Sequence, residues 1–183
     1  MADFFTRLGA EHRAFVLKQP VFFVATAAAD GRINLSPKGM DCFRVLDPAR
    51  VGYLDVGGSG NETQAHLSVD GRATLMFCAF DRPALILRIY AKGRATLPQD
   101  AGWDDLAAHF DMLPGTRQIF EFDVQSVQTS CGWGVPVMSF DQDRETLSRY
   151  HQSITEADRL AKIADRTKSI DGLAVRLQTR IPV

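Results

Sequence analysis

Two short stretches carry the residue types from which a binding site could be built. Tyr53-Leu54-Asp55-Val56 runs into Gly57-Gly58-Ser59-Gly60-Asn61-Glu62-Thr63 and then Gln64-Ala65-His66-Leu67, a strand that breaks into a glycine-rich loop and reopens as a helix. Such a corner gathers bare backbone N–H groups at the positive end of a helix, where an anion such as a phosphate can sit. Upstream, Asn34-Leu35-Ser36-Pro37-Lys38-Gly39 supplies in Lys38 a cation able to close over that anion. Composition alone leaves a bland alternative open at both places. The glycines can serve only to reach positive φ in a plain strand-to-helix turn, and Lys38 reads equally well as a solvated surface lysine.

Little else in the chain reads as a reacting group. His12, His66, His109 and His151 are scattered, without the paired spacing of a metal site, and structural roles are the expectation for them. His66 is set apart because it lies one or two helical turns from the glycine loop, within reach of a ligand. The serines show no G-x-S-x-G elbow. Cys42, Cys78 and Cys131 are odd in number and far apart, which fits free thiols in a reducing compartment rather than a disulfide frame or a zinc site. Protein-based nucleophilic catalysis is therefore unsupported, no catalytic acid or base can be assigned, and any chemistry belongs to a cofactor.

The elements that must position these residues read mainly as strands. Apolar residues at helical spacing predict an amphipathic helix over Asp3–Lys18, stopped by Pro20. Val21–Ala28 and Arg32–Leu35 form a hairpin about Asp30-Gly31, and Phe43–Leu46 and Val51–Leu54 are two more strands around Asp47-Pro48. The capping-box spacing Ser59-x-x-Glu62 starts a short helix near Gly60 that ends by Asp70-Gly71. Arg72–Phe80 is apolar enough for a strand buried on both faces, and Leu85–Leu97 is a long strand with a phase shift at Gly93. Asp100–Phe110 has one apolar helical face. Thr116–Val127 alternates, with Phe120, Phe122 and Val124 in and Glu121 and Asp123 out. Cys131-Gly132-Trp133-Gly134-Val135-Pro136 is a loop carrying one large aromatic. Two exposed helices follow over Asp143–His151 and Ser153–Ala164, the second with a box Ser153-x-x-Glu156, and Asp171–Val183 can form a last strand. Roughly six or seven strands with few helices between them predict a small antiparallel barrel, not a doubly wound nucleotide fold.

With 183 residues, 45% of them hydrophobic, the chain suffices for one well-buried core. A formal net charge of -1 with interspersed signs lacks the basic stripe of a nucleic-acid binder. No apolar run approaches the ~20 residues of a membrane span, and the first residues lack the order of a signal peptide, so a cytoplasmic protein with no membrane partner is expected.

Five segments taken together sharpen this reading: Asp30–Gly39, Gly60-Asn61 with the helix to Leu67, Thr74–Phe80, Arg88–Ala95 and Cys131–Pro136. In this order they resemble the pyridoxamine 5'-phosphate oxidase-like FMN-binding split-barrel family, over about Phe5 to Met138. The resemblance implies a six-stranded split barrel and a homodimer holding FMN at its interface; the barrel domain is expected over residues 1–140, with 141–183 as a helical extension packed on the same domain. It further implies that Ser36, Pro37, Lys38 and Gly39 line one wall of the flavin site, and that Tyr53, Leu54 and Asp55 pass beneath the ring through their backbone. Gly60, Asn61, Glu62 and Thr63 would surround the phosphate, and Trp133 would close the site from the other subunit. Relatives commonly carry arginine or lysine where this chain has Glu62 and Thr63, and a carboxylate there repels phosphate unless it turns outward or caps the helix. The activity implied is an FMN-dependent oxidoreductase accepting electrons from NADH or NADPH and acting on a small molecule. Two alternatives on the same fold are a non-catalytic flavin or haem binding or storage protein and a deazaflavin-dependent reductase.

Overall fold

A computed structural model describes residues 2–180 and 182. The chain forms strands β1 (Asp3–Phe5), β2 (Phe22–Thr26), β3 (Asn34–Lys38), β4 (Phe43–Asp47), β5 (Arg50–Val56), β6 (Arg72–Cys78), β7 (Leu85–Thr96) and β8 (Thr116–Cys131). Its helices are α1 (Ala10–Lys18), α2 (Glu62–Val69), α3 (Trp103–Ala107), α4 (Thr146–Gln152) and α5 (Glu156–Ile163). The strands make one antiparallel sheet of eight, in the order β3-β2-β6-β7-β8-β5-β4 with β1 added on β8. The sheet curls around its core without closing, which is the split barrel expected, with more strands than the six anticipated.

The spine of the sheet is β8. One of its edges pairs with β7 from Leu85↔Cys131 to Thr96↔Ile119, while the other takes β5 and then β1. Alternation along the strands sends Phe22, Phe43, Tyr53, Phe77, Phe120 and Phe122 into one core. There Phe22 stacks on Phe77 at 5.2 Å and Tyr53 stacks on Phe122 at 5.8 Å between ring centroids. Each such side chain contributes roughly 1.5–3 kcal/mol by leaving water.

Several expectations are corrected at this level. The start of the expected first helix is strand β1, and α1 begins only at Ala10, because Phe4 and Phe5 are drawn into pairing with Gln128 and Val127. Buried residues alternate along β6, with Thr74 and Met76 only half-buried, so it is not sealed on both faces. The irregularity in β7 falls at Tyr90/Ala91. Gly93 serves close approach instead, since a Cβ there would sit 2.5 Å from the Phe122 ring. Glu121 does not face out: it is buried and held by Arg50 at 3.1 Å and Arg94 at 2.7 Å. The last helix is capped by Thr155, which accepts from the Asp158 N–H, and not through Ser153. No strand is found among the described residues after Asp171, which run irregularly; Ile181 and Val183 lie outside the described residues. No helix of the described residues is long and apolar enough to cross a membrane.

Candidate functional site

Four elements converge on one cavity of about 330 Å³. From the edge strand β3 come Asn34, Ser36, Pro37 and Lys38; Pro37 is tolerated there because an edge strand does not need every N–H. From β5 and the loop after it come Asp55, Val56, Gly58, Ser59 and Gly60, and the start of α2 adds Asn61, Glu62 and Thr63. The opening of β8 adds Arg117.

The floor is a buried ionic cluster. Register places Asp55 opposite Gln118, so β8 delivers its polar start to the Asp55 carboxylate. Arg117 donates to Asp55 Oδ2 through Nε at 3.0 Å and Nη2 at 2.7 Å, Gln118 Nε2 donates to the same oxygen at 2.7 Å, and Lys38 Nζ lies 3.3 Å from Oδ1. Burial alone would raise the Asp55 pKa. The Arg117 and Lys38 charges, with the Gln118 and Arg117 hydrogen bonds, outweigh it and hold the carboxyl below its ordinary range. Gln118 also donates to Asn61 Oδ1 at 2.8 Å, tying the floor to the start of α2. On the β3 wall, Asn34 Nδ2 donates to Thr63 Oγ1 at 3.1 Å.

The loop itself shows a division of labour. The carbonyls of Gly57, Gly58, Ser59 and Gly60 all accept bonds, from His151, Arg166 and Arg117. Among the described residues, the N–H groups of Gly58, Ser59, Gly60, Asn61, Glu62 and Thr63 donate to no protein acceptor. All of these residues border the cavity. The expected capping box is not formed: no side chain caps α2, and the Glu62 carboxylate accepts from the Ile170 N–H at 3.1 and 3.2 Å.

The residues singled out in the sequence divide accordingly. Ser36, Pro37, Lys38, Asp55, Gly60, Asn61, Glu62 and Thr63 share the cavity, whereas Gly39, Tyr53, Leu54 and Trp133 do not line it. Tyr53 and Leu54 belong to the core, where the Tyr53 hydroxyl is buried without a partner and its pKa is pushed well up by burial. Trp133 is 87% exposed, beside the Asp81–Ala84 turn. His66 is buried and bonded through Nδ1 to Thr26 Oγ1 at 3.1 Å, which is a structural role. No cluster of metal-ligating side chains occurs among the described residues, and the cysteines there are free. The Cys42 thiol is pushed up to about 12 by burial, so it is not a nucleophile at neutral pH. Arg117 and Gln118 escaped the sequence reading. Their signal was a pair of adjacent long polar residues ahead of the alternating run Phe120–Val124.

An open antiparallel split barrel with a cavity between β3, β5 and α2 defines a fold class shared with known proteins. The sequence profile of the pyridoxamine 5'-phosphate oxidase family matches residues 8–131, and the chain belongs to that family. A relative, the pyridoxamine 5'-phosphate oxidase family protein ustO of Aspergillus flavus, is 39% identical over 172 residues, covering 91% of this chain and 69% of the relative. Among solved structures, a candidate pyridoxamine 5'-phosphate oxidase from Lactobacillus delbrueckii superposes with a TM-score of 0.55 at 19% identity, covering 67% of this chain and 94% of that one. A HupZ variant of Group A Streptococcus superposes with a TM-score of 0.53 at 18% identity, over 67% and 98% of the two chains. At these identities the structural matches speak for the fold alone.

Proposed function

We propose that the protein binds a flavin nucleotide, FMN, with its phosphate on the Gly58–Thr63 amides, and that it works as an oxidoreductase on a small molecule. The observation that carries this reading is that the residues Gly58–Thr63 border the cavity beside a helix start while their N–H groups meet no protein acceptor. Lys38 and Arg117 add positive charge, but both are shared with Asp55, so the amides are the main anion ligands. Asn34 and Ser36 offer polar contacts from β3, and Asn61 from the start of α2. Glu62 spends its carboxylate on Ile170, which lessens its repulsion of a phosphate. The flavin, once bound, would supply hydride or electron transfer between a reduced nicotinamide and the substrate. What the chain itself does is grip, orient and shield the cofactor.

The same reading makes the protein a homodimer. Trp133, Val137, Met138 and Phe140 are exposed on one stretch of chain, and Ile33 and Leu35 are exposed on or beside the edge strand β3, more apolar surface than a monomer gains from leaving in water. Trp133, which does not line its own cavity, then serves the partner's.

The test is an absorption spectrum of the freshly purified protein, mass identification of whatever it releases on denaturation, and addition of NADH or NADPH under anaerobic conditions. A yellow protein that releases FMN and bleaches with a nicotinamide is the expected result. Colourless protein that ignores added FMN overturns the reading. Bound flavin that neither donor reduces removes the nicotinamide-linked oxidoreductase part alone.

A further inference from the structure

We propose that the C-terminal segment from His151 to Arg176 is a positioning strap that aims the ligand-loop amides into the cavity, and that Glu62 is its latch. The inference rests on the flavin reading for its consequence, though not for its geometry. The imidazole Nε2 of His151 lies 2.9 Å from Gly57 O, and because a carbonyl only accepts, that nitrogen carries the proton. Arg166 Nη1 donates to Gly58 O at 2.5 Å and to Ser59 O at 3.4 Å. Four residues further on, the Ile170 N–H meets the Glu62 carboxylate, and the Arg176 N–H reaches Gln64 Oε1 at 2.6 Å while Gln64 Nε2 returns a bond to Arg176 O at 3.1 Å. Asp171 takes the Arg32 N–H at 2.7 Å, closing the strap onto the β2–β3 connection. None of the strap lines the cavity, so it acts from behind.

The planarity of the peptide unit converts these contacts into a function. In a trans peptide the carbonyl of one residue and the N–H of the next point in opposite directions. Holding the carbonyls of Gly57, Gly58 and Ser59 from the C-terminal side therefore turns the N–H groups of Gly58, Ser59 and Gly60 the other way. Arg117, from the floor, pins the next peptide plane by donating to Gly60 O at 3.0 Å. A loop this rich in glycine would otherwise sample many conformations, and a ligand would have to order it on binding. The strap lies wholly outside residues 8–131, the part of the chain that matches the family profile.

The test uses the full chain with Arg166→Ala and Arg166→Lys. Arg166 is exposed and packs into no core, so its removal spares the fold. Backbone 15N order parameters of Gly58, Ser59 and Gly60 are measured without ligand, followed by FMN titration of each variant. In wild type these amides should be near the ~0.85 of rigid backbone, falling toward ~0.6 in Arg166→Ala, with FMN affinity down about fivefold. Lysine, which can still donate to the carbonyls, should restore most of both. As a second variant, Glu62→Ala should loosen Ile170 and the loop and weaken FMN; simple charge repulsion at this position predicts the opposite, tighter FMN. Order parameters unchanged from wild type in both alanine variants overturn the strap. Wild-type protein that does not bind FMN sinks the flavin reading instead, while the order parameters still decide the strap.

Discussion

Asp55 is a buried carboxylate on the floor of a cavity proposed to take an anion, and its partners explain how it can stay there. With Arg117 and Lys38 on it and Gln118 donating to the same carboxylate, it is less a ligand than the fixture that holds two cations in place. Breaking a buried pair costs more than the pair contributes, because the surviving charge is stranded. Asp55→Asn should therefore lose about 3 kcal/mol in urea unfolding at neutral pH, chiefly through Arg117. The sign with pH follows from the lowered pKa of Asp55: the stabilisation is complete above the ordinary carboxylate range, about pH 4, and disappears as pH falls through the lower native value. The wild-type stability curve should accordingly fall more steeply in acid than that of Asp55→Asn, and parallel curves would contradict this account. At this scale the sequence was legible where backbone chemistry dominates: the glycine loop and Lys38 stand out by type and order. Arg117, Gln118 and Glu121 were not, since only pairing across β5, β7 and β8 decides which polar residues of a strand find charges inside.

One contact couples the barrel to the helices behind it. Gly115, at φ +84 just before β8, lies against the His151 ring of α4, and a Cβ there would stand 2.2 Å from an imidazole carbon. Gly115→Ala combines a strained backbone with an overpacked site and should cost about 3 kcal/mol. Because the same ring holds Gly57 O, the substitution should also weaken ligand binding; denaturant unfolding and ligand titration measure the two effects. A variant as stable as wild type would mean that α4 is not seated there. The elements themselves were readable where periodicity is strong, as in the β4–β5 hairpin, the long β7 and the alternating β8. They were misread where a tertiary partner overrides local pattern. Phe4 and Phe5 fit a helix until β8 offers an unpaired edge, and Ser59-x-x-Glu62 fits a capping box until Ile170 claims the carboxylate.

The molecule as a whole is an open sheet with its two ends at β3 and β4, and with exposed apolar side chains between Trp133 and Phe140. A homodimer that covers them should have twice the chain mass in size-exclusion chromatography with light scattering, and Trp133→Ala should weaken ligand binding without changing that mass. A monomer at micromolar concentration would remove the partner's half of the proposed site. Domain-scale properties, including the antiparallel class and the single core, were implied by strand count and apolar content. How far the C-terminal residues travel to meet the ligand loop was not, because no local pattern encodes a contact between Arg166 and Gly58. The central claim is that the corner between β5 and α2 grips a phosphate, and the most direct measurement compares FMN with riboflavin, which differ only in that group. Titration of the apo protein should show FMN bound at least about a hundredfold more tightly, as several charge-assisted amide bonds imply. Equal affinity for the two would contradict it.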